Sequence, residues 1–240
     1  MDKLVYPLNG TYRFHLGEEP DAWQAWYPDA DPSWQDVTLP HDWSVSLPFS
    51  REYSSGTGYL AGGIGWYRIA IPPKEEWHGK RISICFDGIY KNSRVWCNSY
   101  YLGERPNGYI SFSYDITDQF SFDHDNMLCV RVDRTELSDS RWFTGSGIIR
   151  KVSLIIEEAV HPTFGGIFFT TPAVSEKEAS LEISNELVNT ASKELAVTVT
   201  NTLLDAEKSA VCSLSASALI PAGEKALLVT SGQLASPHLW

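Results

Sequence analysis

The amino-acid sequence predicts an all-β protein made of two β-sandwich domains. Three observations lead to this prediction: short runs alternate between large and small or polar side chains, clusters of turn residues separate the runs, and no amphipathic helix pattern lies between them. Alternation of this kind is typical of strands that bury one face. A length of 240 residues suits two such domains better than one.

The first predicted domain covers residues 1–160. Its first 60 or so residues are rich in tryptophan and proline, and so many prolines exclude long helices there. From Gly65 onward, turn residues separate alternating segments, which indicate an antiparallel sandwich. These segments are GWYRIAIP, ISICFDGI, SRVWCNSYYLGE, MLCVRVDR and RKVSLIIEE.

A change in composition near His161 marks the second predicted domain, residues 161–240. Tryptophan is absent from there until Trp240, while Ser, Thr, Ala and Val dominate. The strand segments are ASLEISNELVN, KELAVTVTNTLLD, AVCSLSASAL and EKALLVTSG. Their spacing suits a small immunoglobulin-like sandwich. Because the last residues follow a turn signal where another strand would be expected, we expect this domain to be incomplete.

Charge and hydropathy exclude several classes of partner. The net charge of −11 repels nucleic acid and anionic lipid headgroups. No apolar run is long enough to cross a bilayer, and the start of the chain lacks the pattern of a secretory signal. We therefore expect no membrane partner and a cytoplasmic protein, or an exported one if a signal has been removed.

The four cysteines predict neither a disulfide framework nor a metal site. They are widely spaced, without a CxxC pair or a metal-ligand spacing to histidine, so buried free thiols are expected. No cofactor is predicted. The residues are Cys85, Cys97, Cys129 and Cys212.

Glycoside hydrolysis needs two carboxyl groups that flank the bond, and no such pair is evident. The single Asn-Glu dipeptide, Asn185-Glu186, lies in a strand segment whose apolar residues share the opposite face. Glu186 is therefore interpreted as a solvated surface charge rather than a catalytic group.

The segment Asp139-Ser140-Arg141-Trp142-Phe143 is the better candidate for ligand contact. It joins a carboxylate, a guanidinium and a stackable ring just before a glycine-rich turn. Sugars bind to such mixtures, because an aromatic face contacts the apolar side of a pyranose while charged groups bind its hydroxyls. The structural alternative has Trp142 in the core and Arg141 paired with Asp139.

Two further motifs carry weaker signals. His41-Asp42 can be interpreted as a general base with an orienting carboxylate, but adjacent residues in extended chain point to opposite sides, which favours a hydrogen-bonded loop histidine. The glycines between Gly56 and Gly65 lack the residues of a phosphate-binding loop and are expected to form a flexible loop.

Six segments in one order resemble the N-terminal sugar-binding jelly roll of glycoside hydrolase family 2, the family of β-galactosidases, β-glucuronidases and β-mannosidases. The resemblance covers most of residues 8–156, and residues 161–240 are similar in position to the family's immunoglobulin-like domain. Asn98-Ser99 stands where many relatives have Asn-Gly, which predicts a different turn type. The six segments are LNGTYRFHLG, LPHDW, GGIGWYR, FDGIYKNSRVWCNSYYLGERPNGYISFSYDIT, NMLCVRVD and RWFTGSGIIRKVSLI.

The resemblance implies that a (β/α)8 barrel carrying both catalytic glutamates follows in the full protein. This chain is then a non-catalytic region of a retaining β-glycosidase, most similar to β-galactosidases, that buttresses the barrel and shapes the edge of the sugar site. The resemblance places either Asp139 or Arg141 at the sugar, and it leaves open the substrate, a homo-oligomeric state and a metal in the barrel. The alternatives are a stand-alone carbohydrate-binding module and a purely structural pair of domains.

Overall fold

The computed structural model describes residues 4–136 and 143–239. Strands supply nearly all of its regular structure, which confirms the predicted all-β class. The helices of the described residues are single 3-10 turns at Ser44–Ser46, Ser55–Thr57 and Glu75–Trp77. The chain forms two compact units, Lys3–Ile156 and a second one that contains Glu157–Trp240.

The first unit is a β-sandwich of two antiparallel sheets. One sheet has the strand order β3-β2-β4-β9-β6-β7 and the other β1-β10-β5-β8. Each strand segment predicted for this domain overlaps at least one observed strand. The strands are β1 (Leu4–Pro7), β2 (Thr11–Leu16), β3 (Gln35–Thr38), β4 (Gly63–Ile71), β5 (Arg81–Phe86), β6 (Ser93–Cys97), β7 (Tyr100–Arg105), β8 (Phe112–Asp115), β9 (Asn126–Arg134) and β10 (Val152–Glu157).

The hydrophobic core lies between the two sheets. Alternate residues of β5 and β9 point into it, as the period of a strand requires. Large aromatic rings complete it: Phe14 stacks on Trp43 with ring centroids 5.7 Å apart, and Trp77 packs edge-on against Phe120 at 5.9 Å. The buried strand residues include Ile82, Ile84 and Phe86 of β5 and Leu128, Val130 and Val132 of β9.

On the outer face of the six-stranded sheet, one buried arginine holds an irregular loop in place. Arg68 of β4 is 1% exposed, and its Nε donates to the Asp29 carboxylate at 3.1 Å. The guanidinium also donates to four main-chain carbonyls. Because a guanidinium has five N–H donors in a fixed fork, it can satisfy carbonyls that no strand pairs with. These carbonyls belong to Ala22, Gln24, Ala25 and Tyr27.

The hairpin between β6 and β7 keeps a two-residue turn. Cys97 pairs with Tyr100, so Asn98 and Ser99 are the two turn residues. Both have positive φ, 48° and 71°, which are the signs of a type I′ turn. The predicted change of turn type is therefore wrong, and the Ser99 hydroxyl accepts a hydrogen bond from Ala25 N at 2.8 Å.

The second unit also consists of antiparallel strands. One sheet has the order β11-β12-β15, and β13 and β14 form another. The four predicted strand segments are observed, whereas β11 was not predicted because a proline and two adjacent glycines interrupt its pattern. The strands are β11 (Val160–Thr170), β12 (Glu178–Asn189), β13 (Leu195–Leu204), β14 (Ala210–Ile220) and β15 (Lys225–Ala235).

The core of the second unit is small and aliphatic. A cluster of four buried hydrophobic residues is extended by partly buried ones from β13, β14 and β15. Threonines of β13 face serines of β14 across the hairpin, and three such pairs lie within 2.8–3.2 Å on its exposed face. The buried residues are Val160, Leu187, Ile220 and Leu228.

Candidate functional site

Two segments about a hundred residues apart in the sequence form the walls of one cleft. The LPHDW segment and residues 143–149 are joined by main-chain hydrogen bonds, His41 N to Ile148 O at 2.9 Å and Trp43 N to Ser146 O at 3.1 Å. The cleft between them has a volume of about 320 Å³. It is lined by Pro40, His41, Asp42, Phe143, Thr144, Gly145 and Ile149.

Asp42 fixes the geometry of this cleft. Its Oδ1 accepts hydrogen bonds from Ser44 N at 3.0 Å and from Ser146 N at 3.1 Å, so one carboxylate oxygen bridges both walls. Burial raises the pKa of Asp42 above its ordinary value, against the opposing effect of these amide donors. Asp42 therefore orders the two segments around the cleft.

His41 bonds to a buried tyrosine rather than to its neighbour. Its Nδ1 lies 2.9 Å from the hydroxyl of Tyr67 in β4. Burial lowers the pKa of His41 and raises the pKa of Tyr67 well above its ordinary value. These shifts favour a neutral imidazole hydrogen-bonded through Nδ1 to a neutral phenol. The interpretation of His41-Asp42 as an interacting base and carboxylate is therefore wrong, because the two side chains bind different partners.

Close packing explains two glycines of the site. At Gly147, φ is +122°, and an added Cβ would lie 2.2 Å from the Tyr67 hydroxyl. At Gly65, a Cβ would lie 2.7 Å from the Trp43 ring. A side chain at either position would displace the tyrosine or the tryptophan. Gly65 therefore lies in β4 as a packing residue, not in a flexible loop.

Arg134, at the end of β9, ties the second wall to the sheet. It is 4% exposed, its Nη2 donates to the Thr144 hydroxyl at 3.4 Å, and its guanidinium lies 5.4 Å from the centre of the Tyr90 ring. Tyr90 in turn exchanges two main-chain hydrogen bonds of 2.9 Å with Gly147. Arg134 and the Tyr90–Gly147 hydrogen bonds thus add to the Asp42 contact that holds the segment lining the cleft.

The predicted sugar-contacting residues Asp139, Arg141 and Trp142 lie outside the described residues. The described chain resumes at Phe143, which is 41% exposed and lines the cleft. Both the predicted role of the three residues and the alternative of a core Trp142 stay predictions.

The other predicted groups are observed as expected. Glu186 is half-exposed and accepts a hydrogen bond from Lys225 Nζ at 2.9 Å, which confirms a surface charge. The four cysteines are free, as predicted, and three of them are buried. Burial raises the pKa values of Cys97 and Cys129 to about 12. Cys212 is half-buried.

Within residues 4–136 and 143–239, no three His, Cys, Asp or Glu side chains come together in a way that could hold a metal ion. No helix of that part has the length and apolar character needed to cross a bilayer.

Sequence reasoning did not find the residues that support the cleft from behind. The alternation of β4 places Tyr67 on its buried face, but no local pattern names His41 as its partner. The same holds for the hydrogen bond of 2.6 Å between the hydroxyls of Ser44 and Ser146, which are 102 positions apart. Only the fold brings these groups together.

Comparison with known sequences identifies the family. The family described as glycosyl hydrolases family 2, sugar binding domain, matches residues 5–157, the span that contains the sandwich and the cleft. The chain belongs to glycoside hydrolase family 2. A β-galactosidase of Bacteroides ovatus, BoGH2A, is 42% identical over 235 residues, which are 97% of this chain and 27% of that protein. A β-glucuronidase of Bacteroides fragilis is 30% identical over 85% of this chain and 30% of its own length.

Solved structures of family 2 members share the fold. A member from Bacteroides cellulosilyticus has a TM-score of 0.91 and 29% identity over 98% of this chain and 31% of its own. A β-glycosidase from Bacteroides vulgatus has a TM-score of 0.87 and 31% identity over 99% of this chain and 30% of its own. The chain thus spans about a quarter to a third of the length of these relatives.

Proposed function

We propose that this chain is the non-catalytic, sugar-binding region of a longer family 2 retaining β-glycosidase that acts on β-galactosides. The observation that carries the proposal is the cleft between the LPHDW segment and residues 143–149, inside the span matched by the family's sugar-binding domain. The two compact units then correspond to the family's jelly-roll and immunoglobulin-like domains.

The chemistry of the cleft supports a role in binding rather than in bond cleavage. Glycoside hydrolysis uses two carboxyl groups on either side of the bond. Among the described residues that line the cleft, Asp42 is the one carboxylate, and its Oδ1 is held by two main-chain amides. Phe143 comes directly after Trp142 and a few positions after Asp139 and Arg141. Its exposed ring suits contact with a pyranose. The catalytic pair then belongs to a barrel elsewhere in the protein.

Exposed apolar side chains on the second unit support the proposal that this chain is part of a longer protein. Phe168 of β11, Ser184 of β12 and Val229 of β15 lie in one row across the three-stranded sheet. Phe168 is 66% exposed, Val229 47% and the nearby Leu227 64%. Because apolar side chains clustered on a sheet face mark interaction surfaces, we infer that the catalytic barrel of the same protein covers this face.

Hydrolysis assays with the chain and with the longer protein encoded by its gene test the proposal. With p-nitrophenyl β-D-galactoside, the 240-residue chain is expected to release no nitrophenol above the buffer rate, whereas the longer protein hydrolyses it. Hydrolysis by the purified chain itself, or a longer protein that does not cleave the β-galactoside, would overturn the proposal.

Substitutions in the longer protein test the predicted sugar contacts. Either Asp139→Ala or Arg141→Ala is expected to lower kcat/KM by about tenfold or more, because a charged hydrogen bond to a sugar hydroxyl is lost. Asp123→Ala, at an exposed loop position away from the cleft, is the control and should leave kcat/KM unchanged. If both Asp139→Ala and Arg141→Ala behave like the control, neither residue contacts the substrate.

A further inference from the structure

A second cleft lies at the other end of strand β9. It has a volume of about 620 Å³ and is formed by the loop around Trp26, the β6–β7 hairpin and the loop between β8 and β9. Residues Trp26, Tyr100, Asp118, Gln119, His124 and Asp125 are among those that line it. Met127, at the start of β9, lies at this cleft, whereas Arg134, at the strand's end, contacts the wall of the first. The eight steps of β9 between Asn126 and Arg134 separate these two ends by about 26 Å.

Two aromatic side chains that line this second cleft are largely exposed, in contrast to the buried tryptophans of the same unit. Trp26 is 75% exposed and Tyr100 62%, whereas Trp34, Trp43 and Trp66 are each at most 3% exposed. Among the described residues, no aromatic ring packs against Trp26 or Tyr100. A large ring exposed beside a concave surface offers apolar area that a ligand can bury.

The loop that carries Trp26 is held in a fixed position. Ala25, the residue before it, donates its N–H to the Ser99 hydroxyl at 2.8 Å, and its carbonyl accepts from Arg68 Nη2 at 3.1 Å. On the opposite side, Asn98 Nδ2 donates to Gln119 O at 2.8 Å. The walls are therefore ordered without a ligand, which reduces the entropy cost of binding.

We propose that this second cleft binds a neutral oligosaccharide, with the apolar face of a hexopyranose stacked on the Trp26 indole. The exposed carboxylates of Asp118 and Asp125 accept hydrogen bonds from the sugar hydroxyls. The same two carboxylates repel a uronic acid, so the site selects neutral sugars over anionic ones. This site is separate from the cleft of the proposed function and has no part in bond cleavage.

Titration of the 240-residue chain with two tetrasaccharides tests the proposal, with tryptophan fluorescence and calorimetry as readouts. The probes are β-1,4-galactotetraose, which is neutral, and tetragalacturonic acid, which is anionic. The neutral probe is expected to bind at least about tenfold more tightly than the anionic one. The Trp26→Ala variant is expected to lose at least about tenfold in affinity for the neutral probe, as removal of a central aromatic anchor does.

Matched variants separate this site from other exposed rings and from the first cleft. Phe168→Ala, which removes a ring of similar exposure from the second unit, should leave the affinity unchanged. In the longer protein, Trp26→Ala should leave kcat/KM for p-nitrophenyl β-D-galactoside unchanged, so failure of this proposal is distinct from failure of the proposed function. No saturable binding of the neutral probe, or equal binding by Trp26→Ala and the parent chain, would overturn the proposal.

Discussion

The two units of this chain differ in the interactions that stabilise their strands and loops. In the first unit, large aromatic rings fill the core, and buried polar groups such as Arg68 and Arg134 hold irregular loops against the sheets. In the second unit, four aliphatic residues form the buried cluster, and regular strand pairs with exposed Thr–Ser contacts make up most of the rest. Both clefts thus lie in the unit whose irregular backbone is supported by buried polar groups.

The largest effect is expected from Arg68→Ala, which should destabilise the first unit by about 3–5 kcal/mol. The substitution leaves the Asp29 carboxylate and several main-chain carbonyls without their buried donor. Guanidinium unfolding followed by tryptophan fluorescence measures it, because eight of the nine tryptophans precede residue 157.

An exposed arginine of the same sheet provides the control for this change. Arg94→Ala removes an ion pair with Glu104 in which both side chains are about half exposed, so a loss of at most about 1 kcal/mol is expected. Similar losses in the two variants would contradict the view that one buried guanidinium holds the loop.

The second unit should respond to loss of a single aliphatic side chain. Leu187 is 1% exposed within the four-residue cluster, and Leu187→Ala is expected to cost about 2–4 kcal/mol. Hydrogen exchange read by mass spectrometry should show faster exchange in β12, while the tryptophan fluorescence of the first unit stays unchanged. Leu227→Ala, at a 64% exposed position in the same sheet, should cost less than about 0.5 kcal/mol. Equal exchange in the two variants would show that the cluster is not the core of this unit.

The smallest expected effect is on the pH dependence of the unfolding free energy. Burial raises the pKa of Asp115, but the hydroxyl and amide of Thr117 and the guanidinium of Arg81 lower it more, so its net pKa lies below the ordinary value. A carboxyl whose pKa falls on folding stabilises the protein above its unfolded-state pKa of about 4, and this contribution is lost as the pH falls through the folded-state pKa.

Asp115→Asn removes this contribution of the carboxylate. The difference in unfolding free energy between the parent and Asp115→Asn should therefore be largest at neutral pH and shrink toward pH 3, as urea unfolding at several pH values can measure. Thr117→Val, which removes one hydroxyl donor and keeps the carboxylate, should show a smaller pH dependence of the same sign. A difference that does not change with pH would rule out this role for Asp115.

Most of the strands could be predicted from the sequence, because alternation is a local property of the residues in each strand. The runs that became β4, β5 and β9 alternate along their length, and their ends coincide with turn residues. Strand β11 escaped prediction because its register with β12 shifts between Pro162 and Ile167, which interrupts the pattern. The family resemblance came from ordered segments rather than from alternation, and the family match confirms it.

The candidate site was predictable only in part. The LPHDW segment is recognisable as a motif in the sequence. Its hydrogen bonds to Ser146 and Ile148 join residues about a hundred positions apart, which no local pattern predicts. The second cleft could not be predicted, because Trp26 is exposed only as a consequence of where Arg68 and Ser99 hold its loop. The cytoplasmic location, the oligomeric state and the roles of Asp139 and Arg141 stay predictions.

Because Arg68 binds its loop through main-chain carbonyls, the loop can accept different side chains. The guanidinium recognises the main chain of residues 22–27, which every amino acid supplies, rather than particular side chains. Side chains at Gln24 and Trp26 can therefore be exchanged while the loop keeps its path. A library randomised at these two positions would vary the surface of the second cleft on an unchanged scaffold.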